Sequence, residues 1–95
     1  MIEHNLKTWP AYFDAIERGD KKFEVRRDDR GFQKGDIVVL QRTREDRPWE
    51  VDMVYEKPLK SHAKKELRRR IGYVLTGGQF GIEPGYVVLQ LEDVG

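Results

Sequence analysis

The alternation of apolar and polar residues along the chain predicts one clear helix and several short strands. An apolar stripe at helical spacing, ended by Gly19, predicts an amphipathic helix over residues 9–18 with Thr8 as its N-cap. The stripe consists of Trp9, Tyr12, Phe13 and Ile16. Strands are predicted over residues 22–27, 37–43, 49–55, 70–75 and 86–91, with turn residues between them. Residues 61–67 fit either one or two helical turns capped by Ser61 or a loop.

This order of elements predicts the fold class. Short strands with glycine-rich turns and one confident helix favour a mixed α+β, mainly β fold over a doubly wound parallel sheet. We expect a small barrel of five or six strands with one or two short flanking helices. A chain of 95 residues is long enough for one core, so residues 1–95 are expected to form a single domain.

The positions of the large aromatic residues lead to three further expectations. The aromatic stripe of the helix is expected in the core rather than as a stacking platform, and Tyr73 and Tyr86 are expected in the core as well. Trp49 fits either a core position or an exposed stacking residue.

The glycines between the last two strands predict a loop that needs positive φ or a close backbone approach. These are Gly77, Gly78 and Gly81.

Charge is balanced over the whole chain but not along it. The formal net charge is +1, yet residues 57–70 carry +6 and the remainder −5. This asymmetry favours a polyanionic partner, and a solvated basic loop explains it nearly as well. The chain has no cysteine, no apolar leader at its start and no apolar run near the ~20 residues of a membrane helix. We therefore expect a cytoplasmic protein with no membrane partner.

A charged motif lies on the first predicted strand. Phe23 and Val25 point to one face of that strand, while Glu24 and Arg26 point to the other, with Lys21 at the entering turn. Such a charged face is commonly solvated, and an exposed Glu–Arg pair then contributes only ~0–1 kcal/mol. The alternative is a binding site built from the same side chains.

The motif Gly19-x-Lys21-x-x-Glu24-x-Arg26 resembles the signature of the ASCH domains, relatives of the PUA RNA-binding barrels. The likeness covers about residues 4–44 and 69–92, and His4-Asn-Leu-Lys7 is similar to the opening of an uncharacterised bacterial and phage branch. The resemblance implies a PUA-like barrel with a cleft beside the first helix. That cleft is expected to hold RNA, a nucleotide or a modified nucleobase.

The resemblance also implies which residues contact the ligand. Lys21, Glu24 and Arg26 would line the cleft, because a guanidinium fork and an ammonium suit phosphates and base edges. His4 and Arg30 would stand at its rim, and Lys7 would extend the positive rim along a nucleic-acid backbone.

Two alternatives stay open. Some ASCH proteins are amidohydrolases acting on acylated cytidine, and Lys21 with Glu24 would then be the catalytic pair. Those enzymes use the motif lysine together with a threonine and a distant glutamate. In this chain Glu24 occupies the threonine position, and Glu66 is the nearest candidate for the distant glutamate. The other alternative is a protein-interaction module that binds through residues 57–70. We expect no metal, since the two histidines lack ligand spacing, and no cofactor.

Overall fold

The computed structural model describes residues 2–55 and 62–94 and shows a mixed α+β, mainly β fold, which confirms that part of the predicted fold class. The elements are β1 (Glu3–Thr8), α1 (Pro10–Glu17), β2 (Phe23–Arg27), β3 (Ile37–Arg42), β4 (Met53–Tyr55), β5 (His62–Lys64), β6 (Glu66–Thr76) and β7 (Tyr86–Asp93). A five-stranded sheet has the order β1-β3-β6-β7-β2, and β4 pairs with β5. Within the described residues, no helix has the length and apolar character needed to cross a membrane.

Strand β1 was not predicted from the sequence. Its residues alternate between exposed and buried, so that His4, Leu6 and Thr8 face inward. Two of these three inward residues are polar, which hides the alternation of hydrophobicity on which a strand prediction depends.

Both alternatives for residues 61–67, a short helix and a loop, are wrong for the described part of the segment, which forms strands. His62–Lys64 pairs antiparallel with Met53–Tyr55, and β6 begins at Glu66. The ladder of backbone hydrogen bonds to a neighbouring strand outweighs the helical propensity of the alanine, lysine and glutamate residues in this segment. Ser61, the predicted cap, lies outside the described residues.

The helix α1 begins one residue later than predicted. Trp9, in an extended conformation, is the N-cap, and Pro10 takes the first turn as expected. Thr8 instead ends β1, where its buried hydroxyl donates to the carbonyl of Leu6 at 3.2 Å. Gly19 follows the helix with φ of +86°, the left-handed conformation predicted for its stop signal.

The chain divides into two compact units, each with its own buried residues. The first unit comprises Met1–His4, Lys22–Val38 and Arg68–Gly95, and the second comprises Asn5–Lys21 and Val39–Leu67. The first unit buries Phe32, Ile37, Val38, Ile71, Val87, Leu89 and Leu91, and the second buries Leu6, Phe13, Ile16, Val39 and Leu40.

In the first unit, β7 is the central strand of an antiparallel group with β2 and β6. Glu24 lies opposite Leu89, and Arg26 lies opposite Val87. Since Leu89 and Val87 are buried, the face of β2 that carries the two charges is the inward face. Phe23 and Val25 therefore lie on the outward face, about half exposed.

The loop between β6 and β7 needs its glycines, as predicted. Gly78 has φ of +86°, and a Cβ on Gly77 would lie 1.9 Å from the carbonyl oxygen of Glu83. No side chain fits at Gly77 without moving the backbone of the loop, since real Cβ contacts are never that close.

Candidate functional site

The charged motif places a carboxylate inside the first unit. Glu24 is only 4% exposed, which excludes the solvated-face interpretation for this residue. Burying a carboxylate beside Leu89 is costly unless the charge is paired and hydrogen-bonded. The side chain that pairs with it is the next inward residue of the same strand.

Arg26 pairs with Glu24 through one carboxylate oxygen. Arg26 Nε donates to Glu24 Oε2 at 2.9 Å, and Nη2 lies 2.9 Å from the same oxygen. The side chain of Arg26 is 24% exposed, whereas that of Glu24 is 5% exposed. The carboxylate thus fixes a guanidinium that is mostly buried but still reaches solvent.

Lys21 belongs to the second unit and is held at the end of α1. Its backbone N–H donates to the carbonyl of Ala15 at 3.1 Å, in the turn that follows the helix. Its Nζ lies 5.0 Å from the centroid of the Tyr12 ring, a cation–π distance. The motif lysine therefore lies against an aromatic side chain that sequence reasoning had assigned to the core.

The predicted core placement of that aromatic stripe is wrong for half of its members. Phe13 and Ile16 are buried as expected, but Trp9 is 62% exposed and Tyr12 is 49% exposed. The Trp9 and Tyr12 rings are stacked, with centroids 6.0 Å apart and planes inclined by 10°. An eight-residue helix buries only one narrow stripe, and Phe13 and Ile16 fill it.

Tyr73 and Trp49 are also exposed, by 59% and 66%. Tyr73 lies on the outward face of β6, so its predicted core position is wrong. Tyr86 is half-buried, with its ring 5.1 Å from the guanidinium of Arg27 and its hydroxyl accepting from Arg27 Nη2.

His4 is buried rather than placed at a rim, so that prediction is wrong. It is 6% exposed, and its Nε2 lies 2.9 Å from Asp36 Oδ2. The His4 ring meets Phe32 edge-on at 4.7 Å. His4 is thus a hydrogen-bonding residue on the inward face of β1.

Asp36 was read from the sequence as a turn residue only, and its role as a buried acceptor was missed. It accepts from the backbone N–H groups of Ile2 at 3.3 Å and Gln33 at 3.1 Å as well as pairing with His4. Burial alone would raise the pKa of Asp36, but these hydrogen bonds outweigh it, so the pKa lies below its ordinary value of 3.8. The signal in the sequence that could have indicated this role is the position of Gly35-Asp36 directly before the buried strand β3.

Lys7 and Arg30, the remaining predicted ligand residues, are exposed. Lys7 Nζ donates to the backbone carbonyl of Trp49 at 2.9 Å in the second unit. Arg30 lies in the first unit with its Nε 3.8 Å from Asp29 Oδ1.

The described part of the basic segment is partly neutralised. Arg68 forms an ion pair with Glu3, and Arg69 Nε lies 3.6 Å from Asp93 Oδ1. Residues 57–61 lie outside the described residues. Glu66, the candidate distant glutamate of the amidohydrolase alternative, accepts from Gln41 Nε2 at 2.7 Å.

A second charged cluster, in the second unit, had no counterpart in the sequence analysis. Arg42 makes a bidentate contact with Asp14 at 2.9 and 3.1 Å, and its Nη1 donates to Asp52 at 3.0 Å. The hydrogen bond from Arg42 holds the pKa of Asp14 below its ordinary value. The cluster borders an open hollow of about 360 Å³ lined by Arg42, Arg44, Glu45, Asp46 and Asp52. Two arginines and three acidic residues line it, so it lacks the single sign of charge that attracts an ion.

The fold and motif define a small mainly β domain whose second strand carries an inward charge pair. The chain belongs to the family described as a domain of unknown function, DUF3850, and the match covers residues 3–91. A search of curated proteins found no match.

Proposed function

We propose that this protein binds RNA, or a nucleotide-like ligand of the same chemistry, through Arg26 oriented by Glu24. One observation carries the proposal: a charge pair occupies the inward face of β2, where apolar side chains would be the ordinary choice. Phe23 and Val25, which would suit that face, are turned to solvent instead.

The energetics favour a role for this pair beyond stability. Replacing a buried ion pair by apolar residues of similar volume is often neutral or stabilising by ~1–4 kcal/mol. An inward charge on an edge strand can also act against edge-to-edge aggregation, and β2 is an edge strand. Aggregation control would not require a pair that leaves its guanidinium in reach of solvent.

The chemistry of the pair suits a nucleotide. A guanidinium presents donors in a planar fork that matches two phosphate oxygens or the edge of a guanine base. Glu24 holds that fork in one orientation, which lowers the entropy lost when a ligand binds. The resemblance of the motif to ASCH domains, and with it a PUA-like fold, supports the same assignment.

Substitution of Arg26 tests the proposal. Arg26→Ala should weaken binding of a short single-stranded RNA about 5- to 150-fold, the range for one specific arginine contact, and Arg26→Lys should recover only part of the loss. Affinity is measured by fluorescence anisotropy of labelled RNA at low salt. The matched control is Arg27→Ala, which removes the same charge from the outward face of the same strand.

Equal losses for Arg26→Ala and Arg27→Ala would show that only net charge matters. If Arg26→Ala lowers thermal stability while the affinity per folded molecule stays unchanged, the pair is structural and the proposal is wrong.

A further inference from the structure

Two exposed aromatic side chains at the start of α1 are stacked on one another. Trp9 and Tyr12 are 62% and 49% exposed, and their ring planes differ by only 10°. Trp9 is the N-cap and makes no side-chain capping hydrogen bond, so the indole does not serve to begin the helix. Exposed aromatic area of this kind is costly in water and commonly marks a binding surface.

Positive charge accompanies this surface. Lys21 Nζ lies 5.0 Å from the Tyr12 ring centroid. Lys7 is exposed on β1, two residues before Trp9, and its Nζ bonds to the backbone of Trp49, a third exposed aromatic residue. Aromatic faces together with lysines are the combination that single-stranded nucleic-acid binders use, with bases on the rings and phosphates on the cations.

We propose that Trp9 and Tyr12 form a stacking platform for an unpaired base of RNA, with Lys21 and Lys7 near the flanking phosphates. This inference rests on the proposed function and identifies where in the second unit the RNA would be held. A stacked base needs a ring face and no defined hydrogen-bond pattern, so the platform would tolerate any base.

The emission of Trp9 tests the platform directly. The protein has two tryptophans, so Trp49→Phe leaves Trp9 as the single tryptophan, and the bond from Lys7 is kept because it goes to the backbone. Titration with oligouridylate should quench Trp9. An abasic oligomer of equal length and charge should bind more weakly and quench little, since it carries phosphates without bases.

A second test of the platform removes the ring of Tyr12. Tyr12→Ala should weaken RNA binding about 5- to 100-fold and leave binding of the abasic oligomer nearly unchanged, whereas Tyr12→Phe should retain the RNA affinity. Tyr73→Ala, which removes a ring from β6 that is somewhat more exposed than Tyr12, is the matched control and should have no effect. Circular dichroism of each variant establishes that it is folded.

The outcomes separate this inference from the proposed function. RNA binding that depends on Arg26 without base-specific quenching of Trp9 overturns the platform alone. Base-specific quenching that Tyr12→Ala abolishes supports the platform. If the RNA affinity of Arg26→Ala then equals that of the wild type, the role of Arg26 is overturned. Absence of RNA binding by the wild-type protein at low salt overturns both.

Discussion

Asp36 is the residue on which several segments of the first unit converge. Its carboxylate accepts hydrogen bonds from the N–H groups of Ile2 and Gln33 and pairs with His4, while its backbone carbonyl accepts from Ile71 at 2.8 Å. A buried carboxylate with this many donors is stabilised in its charged form. Loss of this charge should therefore lower the stability of the whole first unit.

Acid should destabilise the protein through this residue. Because the folded-state pKa of Asp36 is lowered below 3.8, its contribution to the free energy of unfolding is present above pH 3.8 and is lost as pH falls through the folded pKa. We expect Asp36→Asn to lower that free energy by ~1–3 kcal/mol at neutral pH, with the difference from wild type shrinking in acid. Urea denaturation followed by circular dichroism over a pH series measures the loss at neutral pH and its decrease in acid.

The control for this prediction is Asp29→Asn, whose carboxyl side chain is 62% exposed. A difference between wild type and Asp36→Asn that stays constant from neutral pH to pH 3 would contradict the assignment, since it would show that the ionisation of Asp36 contributes nothing.

Among the elements, α1 and β3 are connected by the side chain of Arg42. The guanidinium at the end of β3 reaches Asp14 on the helix and Asp52 just before β4, and it is 16% exposed. Arg44, two residues later, makes a comparable two-bond contact with Asp46, but the guanidinium and the carboxylate are both exposed. The same chemistry thus occurs at two levels of burial.

Burial should decide which of the two arginines matters for stability. Arg42→Lys keeps the charge but loses the bidentate geometry, so we expect the free energy of unfolding to fall by ~1–3 kcal/mol. Arg44→Lys, the matched control, should change it little, because an exposed pair exchanges freely with water. Urea denaturation of both variants makes the comparison, and equal losses would show that burial is not the cause.

The elements also show what the sequence determines. Strands with strong apolar runs, such as Ile37–Arg42 and Tyr86–Asp93, and the helix with its Gly19 stop were predictable from local pattern. The orientation of β2 was not, because its pattern favours Phe23 and Val25 on the inward face. Its pairing with the buried Val87 and Leu89 shows that the charged face is inward instead. The burial of the Glu24–Arg26 pair and the contact of His4 with Asp36 depend on tertiary structure.

Over the whole molecule, the excess of positive charge in residues 57–70 is partly offset by acids from other segments. Glu3 pairs with Arg68, and Asp93 lies beside Arg69. RNA phosphates would therefore compete with intramolecular carboxylates for these arginines. The net charge of the segment overstates the attraction it exerts on a polyanion.

Release of these arginines should strengthen RNA binding. Glu3→Gln and Asp93→Asn should each raise the affinity at low salt and steepen the plot of log affinity against log salt by up to about 0.7, the slope for one phosphate contact with a single strand. Anisotropy titrations over a salt series measure the slope. The control Glu83→Gln makes the same change in net charge without releasing either arginine. An equal rise in affinity and slope for Glu83→Gln, or an unchanged slope for Glu3→Gln, would exclude the basic segment as an RNA contact.

The reversed orientation of β2 has a consequence for how this protein responds to selection. A version with Glu24 and Arg26 replaced by well-packed aliphatic residues would withstand heat as well as the natural one or better. Laboratory evolution for thermal tolerance alone would therefore discard the pair early, and the ligand recognition that we propose for it would disappear while the fold improved.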